Sequence, residues 1–249
     1  MLPLQPPLLA RPANETGFTR DTLADGSMLA AIRAHAPAGI RIRSDAELEA
    51  SVEATLATWN DGDDVWVFGY GSLMWNPAFH YVESVRARVH GWSRKFCLWL
   101  HMARGTPDHH GLMLALDRGG ACNGIAFRIE AAAVRHELGL LWQREMLTGA
   151  YDARWIDARI DGRPQRALTF VANRRHSRYV GSLSGAETAS FIATGKGRLG
   201  TCSAYFEATL AALEGLQIRD AGIERLRRAF VALRSSSAEA ASAVAIEQA

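Results

Sequence analysis

The chain has 249 residues, a formal net charge of +2, and 48% hydrophobic against 22% charged residues. That length allows one large domain or two small ones with a sizeable core, and the near-neutral charge argues against a nucleic-acid or anionic-membrane partner. No apolar run reaches the roughly 18 residues of a spanning helix, and the three widely spaced cysteines Cys97, Cys122 and Cys202 suggest no disulfide framework and a reducing, cytoplasmic setting.

Residues 1–17 open on a proline-rich stretch without the basic start of a signal peptide, and read as a flexible arm. Residues 18–64 read as a helical extension packed on the rest. One helix starts near Thr19. A second opens at the capping box Ser44-Asp45-Ala46-Glu47, runs to about Trp59, and closes at Asn60-Asp61-Gly62. From Val65 the pattern changes to strands, expected at 65–70, 81–90, 94–101, 111–117, 123–129, 154–160 and 166–172 with glycine and proline punctuation between them. A helix is expected over 131–146, and three more over 184–194, 202–215 and 220–233. The stretch 235–249 reads as a disordered or frayed tail, which leaves 65–234 as the main domain. Strands first and helices mostly last give an α+β fold, and several long strands suit a closed or strongly curved sheet.

Two stretches carry chemistry. Val65-Trp66-Val67-Phe68 is a buried-strand pattern that breaks into Gly69-Tyr70-Gly71-Ser72-Leu73, where glycine freedom lets a turn present unpaired backbone N–H groups to a small anion or carbonyl. A strand ending in a plain glycine turn is the alternative. In the 131–146 helix, Val134, Leu138, Leu141 and Trp142 form one apolar stripe and Glu145 is its next member. A carboxylate there is either paired, for instance with Arg104, or partly desolvated and raised in pKa toward proton transfer near neutral pH.

Other features read as decoys. Gly195-Lys196-Gly197-Arg198-Leu199-Gly200 spells the dinucleotide fingerprint, but a helix rather than a strand precedes it. His101, His109 and His110 lack metal-ligand spacing and are expected at the surface, as are the basic clusters 174–178 and 225–228.

Phe68-Gly69-Tyr70-Gly71-Ser72-Leu73 with Trp75-Asn76-Pro77 resembles the substrate loop of the ChaC family of γ-glutamylcyclotransferases. Further blocks resemble it in the same order: Arg104-Gly105-Thr106-Pro107 with 111–117, Arg144-Glu145 with 146–151, and 195–200 with Tyr205. The resemblance covers roughly residues 65–230. It implies a small mixed β-barrel flanked by helices, with Glu145 as the general acid/base. It also implies substrate contacts from Val67, Phe68, Gly69, Tyr70, Gly71, Ser72 and Leu73, and from Tyr151 and Tyr205. The implied reaction is intramolecular cyclisation of a γ-glutamyl peptide, glutathione by analogy. A non-catalytic binding module on the same fold, or a cyclotransferase for other γ-glutamyl amines, remains the alternative. Neither metal nor cofactor is expected, so turnover should survive exhaustive dialysis against a chelator. Restoration by a divalent metal after such dialysis would contradict this.

Overall fold

The computed structural model describes residues 18–247 except 38 and 107, with side chains followed as far as 236. The arm expected at 1–17 lies outside the described residues. Three helices come first: α1 (Arg20–Ala24), α2 (Ser27–Ala34) and α3 (Asp45–Leu56). Ser44 caps α3 through the capping box its sequence spells, and Thr19 caps α1 through a reciprocal pair with Thr22. Leu48, Val52 and Leu56 of α3 are buried in the common core, so the helical extension shares that core.

A closed five-stranded barrel follows, built from β1 (Val65–Gly69), β2 (Glu83–Leu100), β3 (Gly111–Ile129), β4 (Tyr151–Ile160) and β5 (Arg163–Ala172) in the order β1-β3-β2-β4-β5. Neighbours pair antiparallel except at the closure, where β1 lies parallel to β5 with Trp66 opposite Ala167 and Val67 opposite Leu168. The barrel is therefore mixed, and the fold is α+β. Closure removes sheet edges that would otherwise template aggregation.

Seven strands were expected and five long ones form. Gly91, Gly119 and Gly120 read as breaks, yet each adopts a left-handed φ (78°, 102° and 74°) within the continuous β2–β3 ribbon. The register slips between His90 and Trp92 without ending the pairing. Such bulges bend a long ribbon enough to wrap a small barrel.

Helix α4 (Val134–Glu145) lies between β3 and β4, preceded by a 3-10 turn at Ala131–Ala133. Its stripe Val134, Leu138, Leu141 and Trp142 is fully enclosed, and Trp142 meets Phe170 edge-on at 5.3 Å. After the barrel come α5 (Gly185–Thr194), the short hairpin strands β6 (Lys196–Gly197) and β7 (Gly200–Thr201), α6 (Cys202–Gly215) and α7 (Ala221–Glu247). The frayed tail expected from 235 is instead helical backbone as far as Glu247. Neither glycine nor proline follows Gly222, and the stretch is rich in alanine, so nothing local stops the helix.

One buried arginine ties these layers together. The fully enclosed side chain of Arg94 on β2 donates Nε to the Tyr70 carbonyl at 2.6 Å, reaches the Asn123 carbonyl, and pairs with Asp220 at the start of α7. Beside it, Gly124 on β3 lies so close to β1 that a Cβ there would sit 2.3 Å from the Gly69 carbonyl oxygen and 2.8 Å from the Phe68 ring. Gly124→Ala should therefore lower stability by about 1–3 kcal/mol, the range for overpacking a filled site. Urea unfolding checks this, and an unchanged midpoint would show that the strands can part at no cost.

Candidate active site

Because β1 leaves the barrel at the end where β4 enters, the glycine turn after Gly69 and the loop between α4 and β4 share one rim. The turn is rigid. Gly71 precedes a single 3-10 turn, Ser72–Met74, closed by Met74 N–H to the Gly71 carbonyl at 2.8 Å. The first N–H groups of such a turn, those of Ser72 and Leu73, have no acceptor within it. The loop between α4 and β4 is held from outside: Arg43, in the segment before α3, donates its backbone N–H to Leu147 O at 2.9 Å and Nη1 to Met146 O at 3.2 Å.

Glu145 is the last residue of α4 and lies against this turn with 14% of its side chain exposed. Its partner is Arg144 at 3.0 Å, rather than the Arg104 considered from sequence. Arg144 is itself 7% exposed and donates Nη2 to Ser72 Oγ at 2.6 Å and Nη1 to the Asn76 carbonyl. One guanidinium therefore joins the buried carboxylate to the glycine turn. Its other face lies over the Phe18 ring at 5.8 Å, while Asn76 Nδ2 reaches the Phe18 carbonyl at 2.9 Å. The helical extension thus supports the turn directly.

Burial pushes the Glu145 carboxyl above its usual value, and Arg144 offsets only part of that rise. Two turns earlier, Glu137 shows the opposite balance. Burial pushes it up as well, but Arg20 at 2.7 Å and the His80 N–H at 2.9 Å outweigh burial and hold it below the usual range. Two carboxylates on one helix are thereby driven apart, the pattern that separates a structural anion from a proton-transfer group. Two other carboxylates of the barrel suit base chemistry less well. Asp117 is buried yet drawn down to about 2 by Arg174 and Lys95, and Glu83 pairs with Arg128.

Tyrosines line the same space. The charge of Glu145 acts on the phenols of both Tyr70 and Tyr151, whose pKa values burial has already raised far above the ordinary value. Tyr205 also interacts electrostatically with both. Tyr70 Oη donates to Phe170 O and Tyr151 Oη to Leu114 O, each at 2.7 Å, which fixes both rings. Tyr205, on α6, is half-buried, and its hydroxyl lies 3.4 Å from where a Cβ on Gly71 would stand.

The structure thus brings together Glu145, Tyr70, Gly71, Ser72, Tyr151 and Tyr205. Val67 and Phe68 are sealed in the core with no side-chain exposure, and Thr169 takes the Phe68 carbonyl at 2.9 Å. Together with Gly69 and the buried Leu73, they set the turn's position rather than line the space. Two residues went unrecognised: Arg144, hidden as the neighbour of the more obvious glutamate, and Arg94, an ordinary strand arginine in sequence.

The expected surface sites also change. Cluster 174–178 is not uniformly solvated, because Arg178 is buried and Arg174 is ion-paired to Asp117. His101 and His110 are half-buried, edge-to-face at 4.9 Å, beside Trp99. The 195–200 segment is a tight hairpin between α5 and α6. Among the described residues no three His, Cys, Asp or Glu side chains converge as a metal site, and no helix is long and apolar enough to cross a membrane.

Residues 65–232 match the profile of the ChaC-like protein family. The chain is 42% identical over 178 residues to the glutathione-specific γ-glutamylcyclotransferase of Escherichia coli K12, across 71% of this chain and 77% of that one. It is 35% identical over 131 residues to the human glutathione-specific γ-glutamylcyclotransferase 1, across 49% and 58% respectively. The fold resembles a crystal structure of the glutathione-specific yeast cyclotransferase, with a TM-score of 0.62 and 20% identity over 67% of this chain and 95% of that one.

The Arg144–Glu145 geometry has a measurable consequence. Since Arg144 is what holds the Glu145 carboxyl down against burial, Arg144→Gln should raise its pKa further, so that the carboxylate form is lost at a higher pH as pH falls. Carbon-13 titration of the Glu145 carboxyl reads the shift directly. A midpoint that stays or falls would mean that Arg144 does not act on this group.

Proposed function

Because the chain belongs to the ChaC-like protein family, we propose that it is a γ-glutamylcyclotransferase that cleaves glutathione, with Glu145 as its general acid/base. It converts glutathione to 5-oxoproline and Cys-Gly. The substrate supplies its own nucleophile, so the site requires neither a serine nor a cysteine, and all three cysteines are buried and free.

The residues divide the reaction between them. The carboxylate of Glu145 takes a proton from the substrate α-ammonium, and the resulting amine attacks the γ-carbonyl carbon. A five-membered ring forms, with the electron pair of the carbonyl moving onto its oxygen. N–H groups of the Gly71–Leu73 turn face that developing charge; one well-placed donor is worth about 3 kcal/mol. As the oxyanion collapses, the C–N bond to cysteine breaks and Glu145 gives its proton to the leaving nitrogen. The restored carboxylate then takes the surplus proton from the ring nitrogen and passes it to the Cys-Gly amine, which departs as an ammonium and leaves the neutral lactam. Atoms and charge balance without water. Such acid–base help typically contributes about 10²–10⁴-fold.

The observation that carries this reading is a buried carboxylate, raised by desolvation, held to a glycine turn by one arginine. Tyr70, Tyr151 and Tyr205 wall the space and shape it around the bent γ-glutamyl group. Buried free thiols fit a reducing cytoplasm, and a small-molecule substrate accounts for the site without nucleic acid or membrane.

Glu145→Gln keeps size and packing beside Leu141 and Trp142 but cannot accept the ammonium proton. Release of 5-oxoproline from glutathione should fall in kcat by about 10²-fold or more, with binding of a non-cyclising analogue nearly retained by calorimetry. A variant with near wild-type kcat would remove Glu145 from this role.

A further inference from the structure

The Arg104 loop and the 195–200 hairpin take no part in the chemistry above, yet both are tightly packed: Gly105 against the base of its own loop, Gly195 against the start of β3, and Gly197 against the Arg104 loop itself. A Cβ on Gly105 would lie 2.0 Å from the Leu100 carbonyl oxygen, one on Gly197 2.4 Å from the Ala103 oxygen, and one on Gly195 2.6 Å from the Gly111 Cα. Leu199 N–H also donates to the Ala103 carbonyl at 2.7 Å. These contacts fix the backbone on both sides of Arg104.

The Arg104 side chain is nearly unengaged. It is half-buried, and its hydrogen bond is from Nη1 to the Thr201 carbonyl at 3.3 Å, near the long limit for such bonds. Among the described residues no carboxylate pairs with it. Arg178, another arginine near this rim that no carboxylate pairs among the described residues, differs. It is buried and already uses Nε on the Trp99 carbonyl at 2.6 Å and Nη1 on Thr148 Oγ1 at 3.0 Å, so it braces the loop after Glu145.

Position gives Arg104 a use. Thr201 is the N-cap of α6, and Tyr205 lies one turn further along, about 6 Å at the helical rise. The Tyr205 hydroxyl stands against Gly71 of the substrate turn, so the first turn of α6 leads from the γ-glutamyl end of the site toward Arg104. In glutathione, two residues separate the γ-carbonyl from the C-terminal carboxylate, a reach of about 7 Å when extended. A guanidinium fork with free N–H groups is the group that best recognises a carboxylate.

We infer that Arg104 receives the C-terminal carboxylate of the Cys-Gly leaving group and is the residue that favours the free tripeptide over other γ-glutamyl amines. The inference rests on the cyclotransferase reading above, and it gives the hairpin a purpose: holding that arginine at a fixed distance from the turn.

The test compares glutathione with its C-terminal carboxamide as substrates. Wild-type kcat/KM should be about 10–100-fold lower for the carboxamide, mostly through KM, the loss expected when a hydrogen bond to a charged group is removed. Arg104→Gln should lose a similar factor on glutathione and leave the carboxamide unchanged, with Arg104→Lys recovering part of the loss. Equal loss on both compounds in Arg104→Gln, or equal use of both by the wild type, would overturn the inference. The wild-type ratio needs no variant, so it decides even where Arg104→Gln fails to fold. Release of 5-oxoproline from glutathione tests the activity by itself; only the ratio between the two compounds tests Arg104.

Discussion

The fold is organised around a carboxylate that its surroundings do not fully satisfy. Glu145 ends a helix whose apolar stripe is enclosed, so the stripe carries it out of water with Arg144 as its ion-pair partner. A buried charge with incomplete compensation is costly. Here the cost is met by packing elsewhere on α4, where Val134, Leu138, Leu141 and Trp142 are sealed against the barrel. The same guanidinium that partly neutralises Glu145 bonds Ser72 and Asn76. The Glu145 carboxylate and the glycine turn are thereby joined as one unit through that guanidinium.

Around that unit lie two supports of different origin. Arg94 comes from inside the barrel and holds the turn from behind through the Tyr70 carbonyl, with Asp220 balancing its charge. The helical extension works from outside, with Phe18 against Arg144 and Asn76 and with Arg43 on the carbonyls of Met146 and Leu147. Arg94 and Arg43 act on main-chain atoms of the turn and of the loop after Glu145, while Phe18 meets the side chains of Arg144 and Asn76. Such preorganisation matters because a displacement of about 1 Å at a site of this kind can cost about 10²-fold in rate. The extension, which lies before the family-matched segment at 65–232, is therefore part of the architecture of the site.

Gly91 and Gly119-Gly120 look like turn punctuation, because glycine permits left-handed φ in a loop and in a bulge alike. Which of the two occurs depends on a strand hydrogen-bonded alongside, and that is tertiary information. The terminal stretch failed for the converse reason: serine and alanine composition suggested fraying, while helix α7 was already nucleated upstream and met no stop signal.

What the sequence determined by itself was everything periodic or local. The stripe leading to Glu145, the capping box at Ser44, the glycine turn and the α+β order could all be read from spacing, because each depends on neighbours within one or two turns of chain. Only the tertiary structure decided the partners. Glu145 chose Arg144 over Arg104, Asp117 was neutralised by Lys95 and Arg174, and Tyr70, Tyr151 and Tyr205 converged from three distant segments. Ionisation followed the same division. Glu137 is buried and Glu145 largely so on the same helix, but the cation reaching Glu137 comes from α1 and its amide donor from His80. Charge acts through space, so a residue's protonation belongs to whatever the closed barrel and the extension bring beside it.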